Sequence, residues 1–209
     1  MNDRQYTIGI TGGIGSGKSY VSNLLIQKFD IPVYDCDAEA KRLTATNEEI
    51  RSQLIQLVGP EVFNGQELVR KHLADYLFSD PEHASKVNAI IHPVVLKDFK
   101  QWAEKQQTEV VALESAILFE SGFNEYVDYV LFVDAPEEIR LRRAMQRDTA
   151  TEAQIRARMQ MQQPEFHRKQ ADFIIDNFSA DDTSLLIRLT EIIQMLVNGK
   201  TYKIVNRKS

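Results

Sequence analysis

The chain is poor in several residue types that define whole protein classes: among its 209 residues are one cysteine, one tryptophan and six prolines. A single thiol, Cys36, cannot close an internal disulfide or build a multi-cysteine zinc site, so a reducing compartment, the cytoplasm, is expected. No apolar run approaches the roughly 18 residues of a membrane span. The opening MNDRQYTIGI also lacks the basic and then apolar layout of a signal peptide. Positive charge is not in excess either. A net charge of −5 argues against a nucleic-acid binder that relies on overall charge, so an anionic ligand has to be met by a local cluster. Internal repeats and low-complexity linkers are missing, and 43% hydrophobic with 26% charged residues excludes collagen-like, coiled-coil and disordered chains. Glycine is scarce too, yet five of the nine glycines (Gly9, Gly12, Gly13, Gly15 and Gly17) fall within nine consecutive positions.

Residues 6–10 are rich in β-branched and aromatic side chains and run into those glycines, which predicts a buried strand ending in a tight loop. Over 18–29, Val21, Leu24, Leu25 and Phe29 recur at helical spacing. Residues 31–34 predict a second strand, with Pro32 at its entrance where a missing N–H is tolerated. From 37 to about 107 the pattern is mostly helical, with turns at Gly59-Pro60 and Asn64-Gly65 and a helix start at Asp80-Pro81. His92-Pro93 is expected to interrupt that pattern, because the residue before proline is pushed out of the α region.

Strands return at 110–113, 129–133 and 173–175, and helices are expected over 136–147 and 151–163. A last helix over 181–197 places Leu185, Leu186, Leu189, Ile192, Ile193 and Leu196 on one face. The tail, with Lys200, Lys203, Arg207 and Lys208, is expected to be a solvated end. Strands alternating with helices predict an α/β fold, a five-stranded parallel sheet flanked by helices and joined by right-handed crossovers.

The run GGIGSGKS, Gly12 to Ser19, satisfies G-x-x-x-x-G-K-[ST] between a predicted strand and a predicted helix, the context of a phosphate-binding P-loop. Glycines let the backbone curl and bring its N–H groups onto phosphate oxygens, which makes Gly13, Gly15, Ser16 and Gly17 the expected nucleotide cradle. The helix N-terminus adds a favourable dipole. Lys18 would reach the β and γ phosphates of ATP, and the Ser19 hydroxyl would ligate Mg²⁺. A guanine-specific switch would normally carry N-K-x-D, which does not occur. A kinase acting on a hydroxyl also needs a carboxylate, a part that holds the acceptor, and cations that close over the phosphates.

Asp35 and Asp37 follow the second predicted strand at its carboxyl end, where open α/β sheets place ligands, and on an extended segment they would point to the same side. Asp35 is placed to accept a hydroxyl proton. Asp37 is either a site residue or the N-cap of a helix beginning near Ala38. Cys36, between them, would point the other way as a buried structural thiol. Arg140, Arg143 and Arg147 share one face of their predicted helix, as Arg158 and Gln162 do on the next, and beside a triphosphate their forked donors have a use. His72, His83 and His167 read as scattered and exposed, and Phe99 and Trp102 as core.

TGGIGSGKS, VYDCDAEAKRL, Arg70 followed by HLADYLF, DPEHASKVNAIIHP, ESAILFESG, RRAMQRD and ADFIIDN, in this order, resemble dephospho-CoA kinase across nearly the whole chain. The resemblance implies transfer of the ATP γ-phosphate to the ribose 3′-hydroxyl of dephospho-CoA, the last step of coenzyme A synthesis. It implies one domain: a P-loop core over about 5–36, 108–136 and 172–200, a helical substrate-binding insertion over about 37–107 and a lid over about 137–171. By motif, Asp35 matches the catalytic base, Lys18 and Ser19 the phosphate and Mg²⁺ groups, and Arg143 and Arg147 the phosphate-facing lid positions. Asn177 falls in the segment near adenine, and Asp35, Asp37, Arg70 and His92 at substrate-binding positions, although His92 beside Pro93 fits a structural contact equally well. Two positions depart from the pattern. Tyr20 stands in the nucleotide-binding stretch where the family usually has threonine, and Glu114-Ser115 replace the more usual Asp-x-Pro. No nucleic acid, membrane or obligate protein partner is implied. Another P-loop nucleoside or nucleotide kinase, or a nucleotide-gated binding module, is the alternative.

Overall fold

A computed structural model describes residues 4–162, 164–178 and 182–197; the expected tail and the expected helix ends at Gln163 and Asp181 lie outside these described residues. In chain order the elements are β1 (Tyr6–Thr11), α1 (Lys18–Phe29), β2 (Val33–Asp35), α2 (Cys36–Thr46), α3 (Glu48–Val58), β3 (Phe63–Asn64) and β4 (Glu67–Leu68). Then follow α4 (Arg70–Ser79), α5 (Pro81–Ala103), β5 (Val110–Glu114), β6 (Tyr129–Asp134), α6 (Glu137–Arg147), α7 (Glu152–Gln160), α8 (Pro164–Gln170), β7 (Phe173–Asp176) and α9 (Thr183–Val197). The chain divides into two compact units, one made of residues up to Val33 and from Gln107 onward, the other of Tyr34–Gln106. Among the described residues no helix is long and apolar enough to cross a membrane.

The parallel sheet has the order β2-β5-β1-β6-β7, so the strand that feeds the glycine loop lies at its centre. β1 runs parallel to β5 and to β6, and β6 parallel to β7, which leaves the carboxyl ends of these strands on one edge. Every residue of β5 is buried, as a strand covered on both faces requires. Ile8, Ile10 and Val133 from the sheet pack with Leu24 and Leu25 of α1 and Leu189 of α9 in one apolar cluster. This burial anchors the β1-loop-α1 segment at both ends. A smaller cluster joins Leu141 and Ala144 of α6 to Ile155 and Met159 of α7, and Ile14 of the glycine loop packs against it.

Within the Tyr34–Gln106 unit, α2 to α5 surround Leu43, Leu54, Val87 and Val95, and the two-residue strands β3 and β4 pair about the Asn64-Gly65 turn. Tyr34 meets Phe99 and Trp102 edge-on, and its hydroxyl donates to Asp98 at 2.7 Å. Burial, then that bond, pushes the phenol well above its ordinary pKa.

Several expectations are corrected here. Pro93 does not interrupt the helix, because α5 runs unbroken through it; the missing N–H costs one backbone bond, and the burial of Val87, Val94, Val95 and Phe99 along α5 holds the helix together. β2 begins at Val33, and α2 starts directly after Asp35. Asp35, not Asp37, is therefore the N-cap, its side chain accepting from the Ala38 N–H at 3.0 Å. Asp37 lies in the first helical turn, so the two carboxylates do not share an extended segment. Cys36 is buried as expected, but as the first residue of a helix. The hairpin strands and α8 have no counterpart in the sequence reading. His72, His83 and His167 are partly buried rather than exposed: His72 Nδ1 bonds the Glu61 carbonyl, His83 stacks on Tyr76, and His167 stacks on Phe119.

Candidate active site

The loop from Gly12 to Gly17 leaves the end of β1 and becomes the N-terminus of α1, with Gly17 as the cap residue. Its shape depends on missing side chains. Gly15 has φ +76°, and a Cβ there would lie 2.1 Å from the Arg140 carbonyl oxygen; a Cβ on Gly13 would lie 2.1 Å from Arg140 Nη1. Gly15→Ala is therefore expected to distort the loop. The left-handed conformation alone costs about 1–2 kcal/mol for a residue with a Cβ, and the fixed carbonyl adds to it. Thermal denaturation should show a melting temperature lower by roughly 2–4 °C per kcal/mol, and calorimetric titration should show nucleotide affinity falling with it.

Neighbouring elements hold the loop. The Ile14 N–H donates to Gln162 Oε1 at 2.8 Å, just beyond α7. Asn177 Nδ2 donates to the Ser16 carbonyl at 2.8 Å, and the Asn177 carbonyl in turn accepts from Arg143 Nη1 at 2.8 Å. Arg143 Nη1 also reaches the Ser16 carbonyl at 3.4 Å. Asn177 is buried and its own N–H is tied to the Asp134 carbonyl, so β7 delivers it firmly. The Lys18 ammonium donates to the carbonyls of Gly12 at 2.8 Å and Gly13 at 3.4 Å, which keeps its charge over the loop.

Two oxygens and a carboxylate stand at the start of α1. Ser19 Oγ donates to Glu114 Oε1 at 2.8 Å, and Ser22 Oγ donates to Glu114 Oε2 at 2.7 Å. Glu114 ends β5 and is buried, whereas Ser19 is an exposed residue whose hydroxyl proton is directed inward. The three arginines that share one face of α6 separate. Arg140 is buried against the loop, Arg143 is partly buried on it, and Arg147 is exposed and paired with Asp148. That pairing raises the Arg147 pKa and lowers that of Asp148.

Arg140 Nη1 and Ser16 Oγ are the buried side-chain polar atoms that have no hydrogen-bond partner among the described residues. Burying such donors unpaired is costly, more so for a guanidinium, and an anion seated in the loop would relieve it. Sequence spacing groups Arg140 with Arg143 and Arg147 but does not single it out, and it does not connect Gln162 with the loop. Tyr20, exposed, donates its hydroxyl to Asp182, and that bond raises its pKa.

The remaining expected site residues belong to the Tyr34–Gln106 unit. Asp35 is exposed at the end of β2 and Asp37 is exposed on α2; Arg70 is exposed as the first residue of α4. His92 is partly buried in the middle of α5, and burial lowers its pKa.

A family model described as dephospho-CoA kinase matches residues 6–182. The chain belongs to the dephospho-CoA kinase family. It is thus a phosphotransferase with an alcohol group as acceptor. A dephospho-CoA kinase of Bacteroides fragilis is 46% identical over 191 residues, covering 90% of this chain and 92% of the relative. One from Porphyromonas gingivalis is 48% identical over 159 residues, 76% of this chain and 78% of the relative. A crystal structure of a Thermus thermophilus protein superimposes with TM-score 0.79 at 34% identity, covering 95% of this chain and all of the other. The shikimate kinase of Bacteroides thetaiotaomicron, at TM-score 0.53 and 14% identity, shares the fold alone. Both departures from the dephospho-CoA kinase pattern have partners here, Tyr20 in Asp182 and Glu114 in two serines.

Proposed function

We propose that this dephospho-CoA kinase family member transfers the γ-phosphoryl group of ATP to the ribose 3′-hydroxyl of dephospho-CoA, giving coenzyme A and ADP. The observation that carries this reading furthest is a P-loop on whose curled backbone Lys18, Arg143 and Arg140, with its Nη1 unpartnered, converge, in a chain of this family. Loop N–H groups from Gly13 to Lys18 hold the phosphates. Lys18 spans the β and γ groups and Arg143 and Arg147 act from the lid, residues 137–171, so that charge spreading over the transferred group meets fixed donors. Asn177 lies on the adenine side of the nucleotide, and Tyr20, directly after Ser19, on its phosphate side.

Ser19 fits a divalent cation: on this exposed residue the hydroxyl proton is committed to a buried carboxylate, which leaves the oxygen lone pairs for a hard ion. Ser19 would hold a magnesium ion there, which would supply positive charge to offset that of the phosphates. No group of three or more His, Cys, Asp or Glu side chains is arranged to hold a metal among the described residues, and an ion carried mainly by nucleotide phosphates and water does not need one. The acceptor is held by the helical unit through Asp37, Arg70 and His92. Asp35 takes the 3′-hydroxyl proton, late in a largely dissociative transfer.

A panel of acceptors with coupled detection of ADP tests this reading. Dephospho-CoA is expected to stimulate ADP release far above the rate without acceptor. Preference for a nucleoside monophosphate would overturn the assignment, as would slow hydrolysis that no acceptor accelerates.

A further inference from the structure

Glu114 is one methylene longer than the aspartate usual at this place in the family pattern, and its carboxylate therefore has one more torsion to be fixed. It is 8% exposed, at the end of a strand whose residues are all buried. Each oxygen has its own donor: Oε1 takes the Ser19 hydroxyl at 2.8 Å, and Oε2 takes the Ser22 hydroxyl at 2.7 Å. Ser19 and Ser22 are three residues apart on α1, hence on one face of it. They differ in access, since Ser19 is exposed and Ser22 is 4% exposed and closed to any ligand. Ser22 thus has one polar partner it can serve, and that partner is the carboxylate behind the cation-binding hydroxyl.

We propose that Ser22 is a positioning residue for the divalent cation site. By holding Oε2 it fixes the rotation of the longer carboxylate, so that Oε1 receives the Ser19 proton and the Ser19 lone pairs face the cation. The inference rests on the reading above only in taking Ser19 as the cation ligand. Without Ser22, Oε2 is a buried oxygen lacking a partner, and the carboxylate relieves that by turning, which takes Oε1 off Ser19. Groups that orient a metal ligand from behind are worth about 10-fold to 100-fold in metal affinity or activity.

The test is Mn²⁺ affinity, read by electron paramagnetic resonance on the full chain with a non-hydrolysable ATP analogue. Ser22→Ala, nearly equal in volume, should weaken Mn²⁺ by about tenfold while leaving analogue binding in chelator unchanged. Ser22→Cys, somewhat larger and only a weak donor, should fall between the wild type and Ser22→Ala. In a Glu114→Asp background the shorter carboxylate no longer reaches Ser22, so adding Ser22→Ala should change nothing further. Unchanged Mn²⁺ affinity in Ser22→Ala would overturn the proposal. So would an equal loss in both backgrounds, the mark of a packing role that does not pass through Glu114. The readout does not depend on which alcohol is phosphorylated, so a chain that rejects dephospho-CoA would overturn the functional reading and still show the Ser22 effect.

Discussion

Replacing Lys18 by alanine should lower kcat by about 100-fold or more, the size of effect that follows loss of one preorganised charge at a transition state. Its ammonium is held over the loop by the Gly12 and Gly13 carbonyls, at 2.8 Å and 3.4 Å. A charge so placed needs little reorganisation when phosphate oxygens arrive, and in phosphoryl transfer most of the catalysis is of this electrostatic kind. The loop itself should survive. Ser16 stays tied to Asn177, Ile14 to Gln162, and Ile14 remains packed on α6 and α7. Circular dichroism and melting temperature should accordingly match the wild type while steady-state turnover falls. Near-normal turnover in a folded variant would remove Lys18 from its assigned role.

Asp35→Asn should reduce kcat by about 100-fold at most, the low end of what general-base catalysis contributes and no more than Lys18→Ala, because the proton leaves late and the carboxylate helps only then. The choice of asparagine follows from the structure. Asp35 caps α2 through the Ala38 N–H, and an asparagine oxygen can accept the same bond, so the helix start is preserved and the missing charge is what is measured. Asp35→Ala would mix two effects, since losing the cap costs about 1 kcal/mol in its own right. Calorimetric titration should give an unchanged ATP affinity for Asp35→Asn. Intact kcat with weakened ATP binding would show the carboxylate to be serving the nucleotide instead.

Much of the nucleotide site was legible in the sequence because its signals are short-range. Five glycines within nine positions, an apolar segment before them and a helical period after them bring β1, the loop and α1 out within a residue of their observed bounds. The continuous apolar runs of β5 and β6 read directly as strands covered on both faces. Features set by tertiary contacts were not legible. Local preference at His92-Pro93 favours a break, but side chains four, seven and eight apart along α5 are buried together and outweigh one lost backbone bond. Asp35 and Asp37 are equivalent as capping residues by type, and the choice fell to the one at the strand end, where the sheet stops. Arg140, Arg143 and Arg147 share a helical face, yet only the approach of the loop, which the bare backbone of Gly13 and Gly15 permits, decides that Arg140 is buried and Arg147 left in solvent. The same contact explains Gln162, whose amide oxygen serves a loop N–H that lies 148 positions away in the chain.

The most direct measurement is identification of the product formed when the protein is mixed with ATP, Mg²⁺ and dephospho-CoA. Mass spectrometry with phosphorus NMR should find coenzyme A, the new phosphate on the ribose 3′ oxygen, in amounts equal to the ADP released. ADP formed without coenzyme A, or a phosphate placed elsewhere on the acceptor, would contradict the account.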